Sequence, residues 1–214
     1  MKAQLPEIFQ NLIRRYPQLG PLSGGLSEAL ILLRDCAHAS GKILLCGNGG
    51  SAADAEHIAG ELMKSFLLPR PVPETARHSL KTSFPDQGGF LADSLQGAIP
   101  AIPLVSSVSL PTAYANDVAP VMVFAQQVYG LGRPGDVVWG LSTSGNSQNI
   151  LYAFMTAKAL GMKTLGMTGR DGGAMAGLCD VELRMPDDST PVIQELHLPV
   201  YHALCAALEE ELFG

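Results

Sequence analysis

The sequence predicts an α/β fold, a five-stranded parallel sheet between two helical layers in a three-layer α/β/α sandwich, and three observations predict it. Five short apolar runs recur along the 214 residues, at 42–46, 101–106, 135–142, 162–169 and 180–186. Segments with helical spacing of apolar residues separate most of these runs. Each run is apolar nearly throughout rather than alternating, the pattern of a strand covered on both faces.

Taken in order, two helical patterns come first, at 4–16 and 24–40, the second closed by "ASG". "KILLC" (42–46) is a strand bounded by glycine on both sides, and a helix over 51–66 follows it. Pro and Gly are dense over 69–98 and no period holds, so about 70–98 reads as an irregular excursion with one short helix near 89–96. The alternation then resumes with "AIPLVS" (101–106), a helix over 117–131, and "GDVVWGLS" (135–142). A helix over "NSQNILYAFMTAKALG", the strand "MKTLGMTG" (162–169), a short helix near 173–178, "DVELRMP" (180–186) and a last helix over 190–212 complete the chain. One domain over 1–214, opened by a helical segment 1–40, is the expected organisation.

Composition narrows the function classes. Apolar residues make up 47% and charged residues 16%, enough for a packed core and too little charge for a disordered chain. A net charge of −6 without a local Lys/Arg cluster speaks against a nucleic-acid partner. It leaves phosphorylated small molecules open, because backbone N–H groups at a helix N-terminus bind phosphate without a lysine. The four cysteines form no CxxC pair, and Cys36, Cys46 and Cys205 sit in apolar stretches as expected for buried free thiols. The N-terminal helix lacks the unbroken apolar centre of a signal peptide, and no run reaches membrane-spanning length. The expectation is a soluble cytoplasmic protein with no membrane partner.

Two glycine-containing turns fall at the C-terminal ends of strands, where ligands of parallel sheets bind. The first, "CGNGGS", fits Gly47-x-Gly49-x-x-Ala52, a pattern shared by dinucleotide sites and by plain tight βα turns. The acidic residue that a dinucleotide site needs about twenty residues on, after a further strand, is replaced by "LLPRPVPETA", which speaks against that reading. The second turn, "LSTSGNS", places Ser142, Thr143, Ser144 and Ser147 between strand and helix. Ser144 or Asn146 as a helix cap accounts for one of these residues, whereas four hydroxyls beside a helix N-terminus suit a phosphate. His57 and Glu61, four apart, share a helical face on the helix that the first turn opens, a pair able to ligate a metal or to move protons. On the last helix Gln194, His197 and His202 are further polar candidates in an apolar setting.

Five stretches in this order, "CGNGGSAADAEHIAGEL", "AYANDVAPVMVFAQQV", "LSTSGNS", "GMKTLGMTGRDGG" and "IQELHLPVYHAL", resemble the sugar isomerase (SIS) domain proteins and, among them, the phosphoheptose isomerases. "GRPGD" fits as well, and the likeness covers nearly the whole chain outside residues near 70–98. The resemblance implies a flavodoxin-like SIS fold and a homotetramer, with the N-terminal helices used in oligomerisation and active sites between subunits. It implies interconversion of D-sedoheptulose 7-phosphate and D-glycero-D-manno-heptopyranose 7-phosphate, a step toward ADP-heptose for lipopolysaccharide. Phosphate contacts carry over to Ser51, Ser142, Ser144 and Ser147, and sugar contacts to Asn48, Gly49, Gly50, Asn116, Asp117 and Thr143. A zinc site carries over to His57, Glu61, Gln194 and His202, with Glu61 and Gln194 also touching substrate.

For the chemistry, Glu61 is expected as the C–H base and His202 as its acid/base partner, with Zn²⁺ polarising the carbonyl. A Glu61 bound to zinc is not free as a base at the same moment, so it either leaves the metal or alternates its duties. Gln194 and His202 are eight residues apart, about 12 Å along a helix, with Pro199 between them expected to kink it. His197 stands in reserve for His202. The excursion is expected to lie near the site, with Arg77, His78 and Lys81 solvated on it. The alternatives are a non-catalytic SIS-fold protein, binding a phosphosugar or the replication initiator DnaA, and an isomerase of a different phosphosugar.

Overall fold

The computed structural model describes residues 5–214, so the first residue of the helix expected over 4–16 lies outside the described residues. Strands β1 (Ile43–Gly47), β2 (Ala101–Pro103), β3 (Val137–Ser142), β4 (Lys163–Thr168) and β5 (Val181–Arg184) form one parallel sheet in the order β2-β1-β3-β4-β5. The helices are α1 (Glu7–Arg15), α2 (Ser23–His38), α3 (Gly50–Met63), α4 (Glu74–Ser83), α5 (Gly88–Ser94), α6 (Ser109–Asp117), α7 (Val123–Leu131), α8 (Gln148–Ala159) and α9 (Thr190–Phe213).

The strand side chains divide between two cores because successive residues of a strand point to opposite faces. Ile43, Leu45, Trp139, Leu141, Leu165 and Met167 enter the layer of α1, α2, α3 and α9. Leu44, Cys46 and Val138 enter the other layer with Phe124 and Val128 of α7 and Ile150 and Phe154 of α8. Both faces are dry, which is why the strands read as unbroken apolar runs. At Gly140 a Cβ would come within 2.6 Å of the Phe154 ring and 2.9 Å of Ile150, so α8 rests directly on β3.

Three elements differ from the sequence expectation. β2 has only three residues, because Pro100 and Pro103 cannot donate to a ladder, and it lies at the sheet edge where proline is tolerated. The helix expected over 117–131 is α7 alone; its expected first residues form a separate turn, Pro120–Met122, preceded by α6. The 70–98 segment contains two helices, α4 and α5, rather than one. Neither α4 nor α6 has a buried residue, so neither carries a core-facing period that could be read. On α4, Arg77 donates to the Ala92 carbonyl at 2.7 Å and pairs with Asp93, while His78 and Lys81 are exposed.

The neck of this excursion is anchored to α9 by one buried ion pair. Arg70 Nε donates to Glu209 Oε1 at 2.6 Å, and both side chains are fully buried. Glu209 also accepts the backbone N–H groups of Phe66, Leu67 and Leu68 at 2.8, 2.7 and 3.0 Å. Arg70 spends its remaining donors on the carbonyls of Leu62 and Glu61, at 2.7 and 3.1 Å. Burial alone would raise the Glu209 carboxyl, but the three amides and the guanidinium hold it below the usual carboxylate range. The two arms of the neck meet at an antiparallel Pro71–Gln96 bridge and a 2.6 Å bond from Gly97 N–H to the Arg70 carbonyl.

α9 runs unbroken from Thr190 to Phe213, and Pro199, expected to kink it, does not interrupt the helix. His197 on this helix has no exposed surface, and neither ring nitrogen has a hydrogen-bond partner. Burial pushes its pKa down to about 4; the Thr168 backbone is near enough to favour the charged ring slightly but falls short of hydrogen-bond geometry. His197 is therefore a neutral core residue rather than a reserve for His202.

Two stability predictions follow from these buried groups. Glu209→Ala strands Arg70 and three amides and is expected to cost about 3–5 kcal/mol in urea denaturation; the double variant Arg70→Met/Glu209→Leu removes the unpaired charge but leaves the three amides without an acceptor, and recovers only part of that loss. His197 titrates near its ordinary 6.5 when unfolded and near 4 when folded, so between these values the unfolded chain binds more protons. Stability therefore falls as the pH drops from about 6.5 toward 4, by an amount of order 3 kcal/mol. His197→Leu is expected to flatten that part of the pH–stability curve relative to the wild type.

Candidate active site

α3 and α9 lie side by side and run the same way. At the start of α3, a Cβ on Gly50 would come within 2.7 Å of the Gln194 amide nitrogen. Four residues on along α3 and seven along α9, Tyr201 Oη reaches Asp54 Oδ1 at 3.2 Å, and three residues further along α3 and one along α9, His202 reaches His57. The contacts advance together along both helices, so side chains from α3 and α9 meet in a single row.

At the far end of this row three donors converge. His57 Nε2 is 3.2 Å from Glu61 Oε1 and 3.2 Å from His202 Nε2, and one donor atom from each residue lies within 4.8 Å of the others. His57 is exposed, and Glu61 and His202 are half-buried. Burial lowers the His202 pKa, as does a charge on His57, while Glu61 opposes both. The Glu61 carboxylate is split between partners: Oε1 faces His57, and Oε2 accepts from Lys64 Nζ at 3.1 Å. Phe66 packs on His202 with ring centroids 5.4 Å apart.

This donor set could hold a metal ion. Two imidazoles and a carboxylate are ligands that Zn²⁺ accepts, and at bonds of about 2.0–2.1 Å two ligands of a tetrahedral ion stand about 3.3 Å apart. The 3.2 Å between the two histidine nitrogens matches that spacing. Gln194 does not join the set within one protomer, since it sits against Gly50, eight residues and about 12 Å along α9 from His202.

The two predicted phosphate turns adjoin each other. β2 lies on one side of β1 and β3 on the other, so the turns after β1 and β3 flank the point where the strand order reverses, the place where open α/β sheets bind ligands. Gly49 caps α3 with φ +56° and ψ −122°, a conformation open only to glycine, and Ser51 is buried in the first turn. After β3, the Ser142 and Ser147 hydroxyls are 3.0 Å apart. Ser147 is the N-cap of α8, yet its side chain makes no capping bond, so neither Ser144 nor Asn146 caps the helix and its first amides remain uncapped. Asn146 instead braces the loop, donating to the Ser144 carbonyl at 2.8 Å and accepting from Ala174 N–H at 2.9 Å. Thr143, Ser144, Gly169, Arg170 and Asp188 line a small cavity over this loop, in which Arg170 pairs with Asp188 at 3.0 Å.

Asn48, expected at the sugar, exchanges amide hydrogen bonds with Asn149 at 3.0 and 2.9 Å, tying the β1 turn to α8. Asn116 and Asp117 stand apart from the other candidates. They are exposed at the end of α6, where Asn116 donates to Asp117 at 2.9 Å, and neither bonds another candidate site residue among the described residues.

Sequence reasoning missed Asp54 and Tyr201, which sit behind the cluster. Tyr201 Oη lies 3.0 Å from His57 Nδ1 as well as against Asp54. Burial raises the Tyr201 phenol pKa, with the Asp54 charge adding to it, and burial raises that of Asp54 too, against the Tyr201 hydrogen bond. Asp54 precedes His57 by three residues and Tyr201 precedes His202 by one, so a signal existed. An Asp on a helix face and a Tyr in an apolar run are each ordinary by themselves.

Comparison with known proteins identifies the family. A family model of the SIS domain matches residues 83–169. The chain is 43% identical over 188 residues to a phosphoheptose isomerase of Desulfovibrio desulfuricans, covering 88% of this chain and 77% of the relative. It is 37% identical over 214 residues to one from Synechocystis, covering 100% and 96%. Among solved structures, phosphoheptose isomerase GmhA from Neisseria gonorrhoeae aligns with a TM-score of 0.74 at 35% identity, covering 94% of this chain and 95% of that one. A relative similar at the sequence level over its whole length, with the same sheet, shares more than a fold, and the chain belongs to the phosphoheptose isomerase family of SIS-domain proteins.

Proposed function

We propose that this chain is an aldose–ketose isomerase that interconverts D-sedoheptulose 7-phosphate and D-glycero-D-manno-heptopyranose 7-phosphate. Its family membership supports the activity. The observation that carries the site is that one helix joins both halves of the task. α3 begins with Ser51 beside the second serine turn and brings His57 and Glu61 to the α9 cluster, with about 10 Å between Gly50 and His57. A phosphorylated sugar bound along the α3–α9 row has its phosphate at the helix N-termini and its reacting carbons at the cluster.

The anion end works without lysine. Ser51, Ser142, Ser144 and Ser147 offer hydroxyls, and the starts of α3 and α8, without side-chain caps, offer positive dipole ends. Asn48, Gly49, Gly50, Thr143 and Gln194 border the path toward the cluster and contact the sugar, with Gln194 assigned to substrate rather than to metal. Asn116 and Asp117 complete the sugar contacts from a neighbouring subunit. The reading includes a cytoplasmic homotetramer with active sites between subunits. Exposed Val108, Val118 and Tyr129, 77%, 64% and 65% accessible in the single chain, support burial by other copies.

Isomerisation moves a proton between C1 and C2 through an enediolate. Glu61 takes the carbon-bound proton; Oε2, turned away from the histidines and held only by exposed Lys64, is the oxygen free to do so. His202 moves the proton at the sugar oxygens when its ring is off the metal, since an imidazole whose Nε2 lone pair is on zinc cannot accept a proton there. His57, Glu61 through Oε1, and His202 would hold Zn²⁺, which when bound polarises the carbonyl as a Lewis acid.

The test is turnover of sedoheptulose 7-phosphate followed by NMR, with protein stripped by chelator and with Zn²⁺ restored. The expected result is activity that zinc restores. Glu61→Gln is expected to lower kcat by about 10²–10⁴-fold with thermal stability nearly unchanged. A folded wild type with no turnover in either state sinks the substrate assignment and leaves another phosphosugar, or binding without reaction. Light scattering on a sizing column is expected to give four times the 22.6 kDa chain mass, and a monomer would count against the intersubunit site.

A further inference from the structure

The loop after β4, residues 169–173, is fastened to the serine turn. Gly169 N–H donates to the Thr143 carbonyl at 3.0 Å, and Met175 N–H to the Gly145 carbonyl at 2.9 Å. Gly145, at φ +63°, leaves no room for a side chain against the Gly172 carbonyl. The two backbones touch, and Arg170 is carried at a fixed place beside the turn, its own N–H on the Asp187 carbonyl at 3.1 Å. Its side chain is the one cation lining the cavity over the turn, about 210 Å³ in volume, whose wall also carries Asp171, Asp187 and Asp188. Asp171 Oδ1 accepts Gly173 N–H at 3.2 Å and Asp187 Oδ1 accepts Ser189 N–H at 2.8 Å, so these two carboxylates brace turns. Asp188 faces Arg170, and both contacts, at 3.0 and 3.1 Å, are made by Nε. The terminal guanidinium nitrogens make no hydrogen bond among the described residues, which leaves four N–H donors unused. The other arginine against this loop, Arg184, is committed to Glu182 at 2.8 Å.

An anion approaching Ser144 meets three carboxylates across the cavity, which repel it unless a cation answers them. Among the lining residues only Arg170 can. We infer that Arg170 is a further binding residue for the phosphate end: it leaves Asp188 when a sugar phosphate enters, and its terminal N–H groups bind phosphate oxygens beside the Ser144 hydroxyl. A planar guanidinium suits this ligand, because two parallel N–H groups meet two oxygens. The Arg170–Asp188 pair is 58% and 76% accessible, and an exposed pair of this kind contributes little to stability and parts at small cost. Asp188 therefore competes with the ligand for one guanidinium without locking it. The inference rests on the serine turn as the phosphate end.

The experiment titrates the full-length protein with inorganic phosphate, followed by ³¹P NMR, and with sedoheptulose 7-phosphate, followed by calorimetry. Arg170→Gln is expected to weaken both by about 10–100-fold, the scale of lost hydrogen bonds to a charged group. Arg170→Lys is expected to weaken them less, since a point charge keeps the attraction without the fork. Asp188→Asn is expected to tighten both by up to about 5-fold, with a smaller gain in the Arg170→Gln background, where no guanidinium is left to release. Both side chains are exposed, so each variant is expected to melt near the wild type. Ser147→Ala, outside the cavity wall, reports on the serine turn independently. Affinity unchanged in Arg170→Gln but lowered in Ser147→Ala overturns the proposal and leaves the phosphate reading standing. Affinity unchanged in both overturns that reading, and the proposal falls with it. An equal gain from Asp188→Asn in both backgrounds overturns the competition between Asp188 and the ligand. Inorganic phosphate binding that depends on Arg170, without binding of sedoheptulose 7-phosphate, supports the residue and overturns the sugar assignment.

Discussion

The site depends on α3 and α9 lying parallel and in contact along their lengths. From Gly50 against Gln194, through Asp54 and Tyr201, to His57 and His202, the contacts advance in the same direction along both helices, over seven residues of α3 and eight of α9. A shift of one residue between the helices would turn these side chains by about 100° and disperse the row. What holds the alignment is burial: Ala55, Ile58, Ala59 and Leu62 of α3 share one core with Leu196, Val200, Leu204 and Leu208 of α9, over the same face of the sheet. Polar geometry at the rim is thus inherited from apolar packing beneath it.

Below the cluster the same helix pair carries a different polar device. The Arg70–Glu209 pair is fully buried, and burying two charges costs free energy that only dense hydrogen bonding offsets. Glu209 meets that condition with three backbone amides and Arg70 with two carbonyls. The effect is to end α3 cleanly and aim the chain into the α4–α5 excursion from a fixed neck. Phe66, which packs on His202, lies in this same clamp, so the pair also shapes the wall of the site.

Acidic net charge and an anionic ligand are reconciled at the sheet edge. The turns after β1 and β3 lie side by side because the strand order reverses between them, and each opens a helix whose N-terminus has no side-chain cap. Ser147 illustrates the economy of the loop, since its hydroxyl turns toward Ser142 instead of capping α8. The anion site is made by backbone direction and hydroxyls, and the net charge of −6 is spread elsewhere.

Much was legible in the residues. Every strand was placed within a few positions, because a strand buried on both faces is written as an apolar run between turns, and the glycine and serine turns were legible as turn chemistry. His57 and Glu61 were paired by spacing alone, since four residues on one helix face meet whatever the rest of the chain does. Helices α4 and α6 were not legible, for an element that buries nothing has no period to show. Nor was the fate of the last helix. Gln194, His197, Tyr201 and His202 follow one another on it, and the sequence gives no sign that His197 goes to the core, Gln194 to Gly50 and His202 to His57. By itself the sequence determined the layers, the turns and the local pairs, all of which arise from neighbours within one element. Only the tertiary structure decided which face of α9 meets which face of α3, because that contact joins residues about 145 positions apart, and only long-range packing can set it.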